Sequence, residues 1–460
     1  MMSRTTCRAT VNSGRFLQTN RVTHLPRGYT TVSRQRRVVA HWYDKVYQTQ
    51  SVSRLVAPYA TVLAMRTRHF WIAALEQAWR GRSVVWLSGV RRAGKTTLSR
   101  SLPGADYFDC ELPRVRRELA DPEAFLAGEH GRTVVLDEIH RLGDPAQLLK
   151  IAADHYPQTR VLATGSSTLG ASRKFRDTLA GRKVEIWLTP MMTADLIDFD
   201  ARDLKHRLLH GGLPPFFLAD SLPERDFQEW MDAYWAKDIQ ELFRLERRHS
   251  FQRFAELLFI QSGGMFEATR FARDCEVSRT TISNYLAVLE ATFVAHVLRP
   301  FSTRRATEIV AAPKVYAFDT GFVCHHRGWS TIRNDDLGVL WEHFVLNELH
   351  ARLQTGDIRY WRDKRRHEID FVFQRRGRPP AAIECKWSAG DFDARNLVAF
   401  RQVHPRGDNF VVARDVPRPY RRSVAGEDIQ FLDLDGLIAR LGGEREDLQV
   451  IHQAAGKKIA

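Results

Sequence analysis

The eight residues GVRRAGKT, Gly89 to Thr96, have the spacing G-x-x-x-x-G-K-T, follow the apolar run VVWLS and lead into TTLSRSL. A loop set between a strand and a helix in this way turns its backbone N–H groups inward around phosphate oxygens. Gly89 and Gly94 free the backbone for that turn, Lys95 bridges successive phosphates, and Arg92 and Thr97 flank the loop. Thr96 offers a hydroxyl to magnesium, an ion that keeps most of its water and asks few ligands of a protein. The chemistry implied is the binding of ATP with Mg2+. Further along, TVVLDEIH reads as a buried strand ending in Asp137 and Glu138. Asp137 is expected to hold the magnesium, directly or through water, and Glu138 to orient and deprotonate the water that attacks the γ-phosphate. RVLATGSS ends another strand in Thr164 and Ser166, candidates for sensing the γ-phosphate. TLAGRKVEIWL places Arg182 where it could reach a phosphate on a neighbouring subunit, a role that requires a homo-oligomer.

A second set of residues lies nearly 300 positions away. In AAIECKW, Glu384 and Lys386 are two apart and share one face of a strand, while Asp370 in HEIDFVF can meet Glu384 across the pair. Two carboxylates to hold a divalent cation and a lysine to orient or activate water are what a metal-dependent phosphodiesterase needs. Glu342, in LWEHFVLNEL, shares a helical stripe with Val345, Leu346 and Leu349, where an acid is costly without a partner. A shared metal with Asp370 and Glu384 would be such a partner; a cross-strand salt bridge is the simpler alternative.

The elements that must position these residues follow from the pattern. From Ser83 strands alternate with helices (Val84 to Ser88, Asp106 to Cys110, Thr133 to Asp137, Val161 to Thr164, Val184 to Leu188), which predicts a parallel α/β sheet. An amphipathic helix starting at Met65, with Phe70, Ile72, Leu75 and Trp79 as its apolar side, precedes them. Beyond Pro190 the chain is mostly helical. There FARDCEVSRTTISNYLAVLEA predicts a helix-turn-helix with Ser278 as N-cap and Ile282, Tyr285, Leu286 and Leu289 buried. Its outward face, Arg279, Thr280, Ser283 and Asn284, suits a DNA major groove, and FVAHVLRPF and KVYAFDTG alternate like the strands of a wing. The same module also serves as a protein-docking unit, so DNA and a protein are both candidate partners. A mixed α/β unit with strands Ile358 to Trp361, Glu368 to Phe373, Ala381 to Trp387 and Asn409 to Ala413 closes the chain. The boundaries predicted are 1–64 a basic tail, 65–195 the ATPase core, 196–250 a helical lid, 251–330 the winged helix, 331–440 the last unit and 441–460 a frayed tail.

At 460 residues the chain exceeds what one core organises, and no apolar run approaches the roughly 20 residues that span a bilayer, so a soluble protein of about three domains is expected, with no membrane partner. Five scattered cysteines without a C-x-x-C pair fit a cytoplasmic location. The net charge of +15 is uneven: residues 1–64 hold ten basic side chains against Asp44. That segment reads as a targeting sequence, a nucleic-acid tail or, preferably, translated upstream sequence ahead of a start at Met65. Arginine is the default base, 57 against 12 lysines. A lysine is therefore an uncommon choice, and Lys95 and Lys386 fall where an ammonium rather than a guanidinium is wanted.

In this order, GVRRAGKTTL, VVLDEIH, LATGSS, LAGR, GGLPPF, AYWAKDI, TTISNYLAVLEATFV, KVYAFDTG, EIDFV and IECK resemble a family of prokaryotic AAA-superfamily ATPases that carry a C-terminal domain of unknown function, over roughly residues 65–440. The resemblance implies ATP binding and hydrolysis, and a P-loop core followed by a winged helix and a restriction-endonuclease-like fold. That tail resembles PD-(D/E)XK nucleases, which matches Asp370, Glu384 and Lys386 and favours Glu342 over Glu348 on the helix. His140 stands where many relatives are expected to have glutamine. GGLPPF and KVYAFDTG are recognisable but carry no assigned chemistry. The reading that follows is an ATPase whose nucleotide state controls a DNA-binding and DNA-cleaving C-terminal half; the alternative is a switch on a protein partner with an inactive nuclease-like fold.

Overall fold

The computed structural model describes residues 66–165, 173–199, 203–240, 247–302 and 312–442. The tail 1–64, Met65, Ser166 and residues 443–460 lie outside them, and with them the expectations placed there. The described residues all belong to one compact unit.

Five strands, β1 (Val84–Ser88), β2 (Asp106–Asp109), β3 (Thr133–Asp137), β4 (Arg160–Thr164) and β5 (Lys183–Trp187), make an all-parallel sheet in the order β2-β3-β4-β1-β5. The central strands are buried along nearly their whole length, the pattern of a parallel sheet covered on both faces. Strands β1 and β3 flank β4, so the loop after β1 and the acids ending β3 open at the same edge, the carboxyl end where α/β sheets bind ligands. The helix expected from Met65 spans His69–Gly81, and its buried side is Trp71, Leu75 and Trp79; Phe70 and Ile72 are only partly buried. The i, i+4, i+8 spacing of the larger side chains decided which face turned inward.

Past Pro190 the helices Thr193–Asp198, Leu204–His210, Pro214–Phe217 and Glu224–Tyr234 follow, the last running into a π-helical turn, Trp235–Ile239. Helix Ala268–Asp274 packs on helix Arg279–Ala291, which in turn meets β7 of an antiparallel sheet of β6 (Gly264–Met265), β7 (Ala295–Leu298) and β8 (Lys314–Ala317), ordered β6-β8-β7. Ser278 caps the second helix by accepting from Thr281 N–H, and Ile282, Tyr285, Leu286 and Leu289 are buried with Val288 as expected, while Arg279, Thr280, Ser283 and Asn284 are exposed.

The last unit has six strands rather than four: β9 (Ile358–Arg362), β10 (Glu368–Phe373), β11 (Ala381–Lys386), β12 (Asn409–Ala413), β13 (Tyr420–Val424) and β14 (Glu427–Leu432), in the mixed order β13-β14-β12-β11-β10-β9. The polar β13, YRRSV, sits at the edge and gives no burial signal in sequence. Helix Leu434–Gly442 packs on this sheet and carries the unit two residues past its expected boundary at 440. Helix Asn334–Leu353 is buried on nearly every side, not on one stripe, because it is wedged between the six-stranded sheet and the helices around Leu204–His210 and Thr320–His326. No helix among the described residues is long and apolar enough to cross a membrane.

Candidate nucleotide site and a C-terminal acidic cluster

The loop after β1 has the conformation a phosphate cradle requires. Gly89 has φ +142°, and a Cβ there would stand 2.4 Å from the Leu188 carbonyl oxygen, so no other residue fits. Arg92 and Gly94 also hold positive φ, at 63° and 97°. The loop borders a cavity of about 340 Å³ lined by Gly89, Arg92, Gly94, Lys95, Thr96 and Thr97 on one side and by Glu138 and His140 on another. Lys95 Nζ is folded onto its own loop, donating to the carbonyls of Gly89 (2.8 Å) and Val90 (3.1 Å). Burial pulls its ammonium below the usual lysine value against the attraction of Glu138 and Asp238.

The two acids ending β3 do different things. Glu138 adopts a left-handed backbone (φ 54°), a conformation that bulky L-residues enter only where surroundings enforce it, and it lines the cavity. Burial would raise its carboxyl, but the hydrogen bond with His140 Nδ1 (3.1 Å) and the charges of His140, Lys95 and Arg91 more than offset this and hold it below the ordinary value. Asp137 is buried behind the cavity wall; its oxygens accept from Tyr107 Oη (2.5 Å) and from Thr164 Oγ1. Thr164 also accepts from Glu138 N–H at 3.2 Å, so it ties the two acids together and does not line the cavity. Arg182 is not brought to the cavity within its own chain; its Nε donates to Asp154 at 2.8 Å.

Four lining residues come from motifs without an expected role. Pro214 and Pro215 of GGLPPF, and Lys237 and Asp238 of AYWAKDI, face the P-loop from the following helical region. Asp238 Oδ2 pairs with Arg91 Nε at 2.9 Å and Trp230 Nε1 donates to the Arg91 carbonyl at 3.0 Å. Lys237 and Asp238 occupy the π-helical turn, a local widening found often at functional sites. In sequence AYWAKDI stands out only as part of the family resemblance, and the scarcity of lysine is a signal that could have found Lys237.

The C-terminal set does come together. The β10–β11 register, Phe371 opposite Ile383, puts Asp370 next to Glu384, and the β9–β10 register shifts between Ile369 and Val372, where Asp370 sits. Such a bulge re-aims a side chain. Asp370 Oδ2 accepts the Cys385 N–H (2.8 Å) and lies 3.8 Å from Lys386 Nζ, which donates to Glu384 Oε2 at 2.8 Å. Burial and the neighbouring Asp370 charge push the Glu384 carboxyl up to about 8. Glu342 faces this pair, whereas Glu348 points elsewhere, accepting from Thr193 N–H and Oγ1 (2.5 Å each) and from Arg352 Nε. Of the residues expected at a metal, Glu342, Asp370 and Glu384, Glu342 accepts from Lys314 Nζ (2.7 Å) and Tyr316 Oη through its Oε1. Among the described residues no group of three His, Cys, Asp or Glu side chains is gathered to hold a metal ion.

Comparison with known proteins gives three family matches along the chain. The AAA domain family matches residues 81–197, a domain of unknown function (DUF8612) residues 201–333, and a second domain of unknown function (DUF4143) residues 337–425. The uncharacterized proteins Rv2008c of Mycobacterium tuberculosis and Mb2031c of Mycobacterium bovis are each 32% identical over 320 residues, 67% of this chain and 71% of theirs. Among solved structures, the Walker-type ATPase paby2304 of Pyrococcus abyssi aligns over 57% of this chain and 96% of its own at 15% identity and a TM-score of 0.36. A point variant of RuvB from Thermotoga maritima aligns over 52% and 92% at 19% identity and a TM-score of 0.24. The P-loop on a parallel sheet, the strand-end acids beside it and the mycobacterial relatives lead to one statement: this chain carries an AAA-type P-loop ATPase domain and belongs to the family of the uncharacterized proteins Rv2008c and Mb2031c.

Proposed function

We propose that this protein is a magnesium-dependent ATPase whose nucleotide state is passed to a DNA-binding C-terminal half. The observation that carries the proposal is the shared cavity wall: Lys237 and Asp238, from the segment that leads into the helix-turn-helix, face the same space as the P-loop, and Asp238 grips Arg91. In this reading Lys95 leaves its own loop carbonyls to meet the β and γ phosphates, while the amides from Gly89 to Thr97 cradle them, with Arg92 at the rim. Thr96 and, through water, Asp137 would hold magnesium, which neutralises phosphate charge when bound. Glu138, kept ionised by His140, takes the proton of the attacking water, and Thr164 keeps the two acids in register. Arg182 would act as a finger only across subunits, after leaving Asp154.

The nucleic-acid face is the exposed side of helix Arg279–Ala291, with Arg279, Thr280, Ser283 and Asn284. A winged-helix reading of the surrounding two helices and three strands supports it. Titration of a labelled duplex at low salt in the ATP-bound and ADP-bound states is the test, since phosphate contacts are strongest there. Equal affinity in both states, or affinity no better than a control protein of similar charge, ends the DNA reading. The presence of one arginine among those four exposed residues favours a protein partner as the second reading, to be recovered by cross-linking in the ATP-bound state. Cleavage of DNA is the least supported step, because the acids it would need are engaged by lysines.

A further inference from the structure

Strand β8, the middle strand of the three-stranded sheet, brings Lys314 and Tyr316 to Glu342 on helix Asn334–Leu353, and Lys314 also to Glu368 on β10. Lys314 Nζ lies 2.7 Å from Glu342 Oε1 and 2.7 Å from Glu368 Oε1, with a side chain only 6% exposed, and Tyr316 Oη donates to the same Glu342 oxygen. Arg362 Nη1 is 3.4 Å from Glu368 Oε2, and Lys386 serves Glu384 and Asp370. The carboxylates of Glu342, Glu368, Asp370 and Glu384 therefore meet cations that the chain itself supplies. A divalent cation draws on several converging ligand oxygens, and among the described residues no group of three His, Cys, Asp or Glu side chains is gathered to hold one.

We propose that Lys314 is the resident cation of this cluster, holding the position a divalent metal would take beside Glu342, so that the cluster works as a charged joint between β8 and the six-stranded sheet. The physical reason is reciprocal. A buried ammonium and a buried carboxylate are each costly alone, and removing either leaves the other uncompensated. Only a compact ammonium on a flexible stem suits a position between two carboxylates 2.7 Å away on either side; the planar fork of arginine would not, although arginine is the usual base in this chain. The joint has a second anchor. Three residues beyond Tyr316, Asp319 accepts the Gly212 N–H at 2.6 Å, in the GGLPPF turn whose prolines line the nucleotide cavity. The segment KVYAFDTG thus runs from the acidic cluster to the wall of the ATP site, which gives both motifs a role.

The test is Mn2+ binding to the nucleotide-free full-length chain, read as loss of the free-ion electron paramagnetic resonance signal, for wild type, Glu384→Gln, Lys314→Met and the double variant. Wild type and Glu384→Gln should bind equal amounts; Lys314→Met should gain one site per chain, and the double variant should lose it. A wild-type site that disappears in Glu384→Gln overturns the proposal, as does a folded Lys314→Met with no added site. Should Lys314→Met not fold, the comparison of wild type with Glu384→Gln still decides.

Discussion

Asp238 places a negative charge in a cavity built to receive phosphates, and its removal gives a result of unexpected sign. In the nucleotide-free chain it holds Arg91 at 2.9 Å, with side chains 10% and 27% exposed. The pair lies between a surface ion pair, worth about 0–1 kcal/mol, and a buried one, whose disruption costs about 3–5 kcal/mol, so about 1–2 kcal/mol is a reasonable net value. Phosphates must compete with Asp238 for Arg91, and they also lose part of the attraction of Lys95, which Asp238 neutralises. In Asp238→Asn the competition is absent, and ATP should bind about 5- to 30-fold more tightly, the same energy expressed as an affinity ratio. The assay is equilibrium titration with a fluorescent ATP analogue in a Glu138→Gln background, so that hydrolysis does not interfere. In an Arg91→Met background the gain should shrink to the part owed to Lys95, which a double-mutant cycle isolates. Affinity that is unchanged or weaker in Asp238→Asn refutes the argument and would mean that Asp238 contributes to nucleotide binding directly.

Glu138→Gln should retain nucleotide while turnover falls about 10²- to 10⁴-fold, the usual worth of a general base, measured as phosphate release. His140→Gln should move the acidic limb of the kcat profile to higher pH: the hydrogen bond from His140 holds the Glu138 carboxyl down, so the base stays ionised as pH falls, and without that bond it is protonated sooner. An unmoved limb with uniformly lower turnover would assign His140 another role. Asp319→Ala leaves the buried Arg207 guanidinium, 3.8 Å away, without its charge partner and should cost about 3–5 kcal/mol in chemical denaturation; Asp319→Asn, the gentler change, should raise the KM for ATP if the GGLPPF turn needs that anchor. Trp71→Ala, fully buried under the parallel sheet, should cost about 3–5 kcal/mol without altering the cavity lining.

The nucleotide site was largely legible in the amino-acid order because its geometry is local. Eight consecutive residues make the loop, five make the strand that ends in Asp137 with Glu138 directly after it, and the period of the apolar residues sets the sheet. The same holds for the Ser278 cap and the alternation that puts Glu384 and Lys386 on one face. What tertiary structure decided is which distant groups share a space. Asp238 meets Arg91 across 147 positions, and Lys314 meets Glu342 and Glu368 from another sheet. No periodicity in either partner encodes such a meeting; it follows from how the helices of residues 203–240 and strand β8 pack. The two lysines picked out by their rarity in an arginine-rich chain proved to be half of a larger set, since Lys237 and Lys314 stand opposite Lys95 and Lys386 in the same two sites. The sequence determined where an ammonium was preferred to a guanidinium; only the packing decided what each ammonium neutralises, and at the acidic cluster it is the chain's own carboxylates.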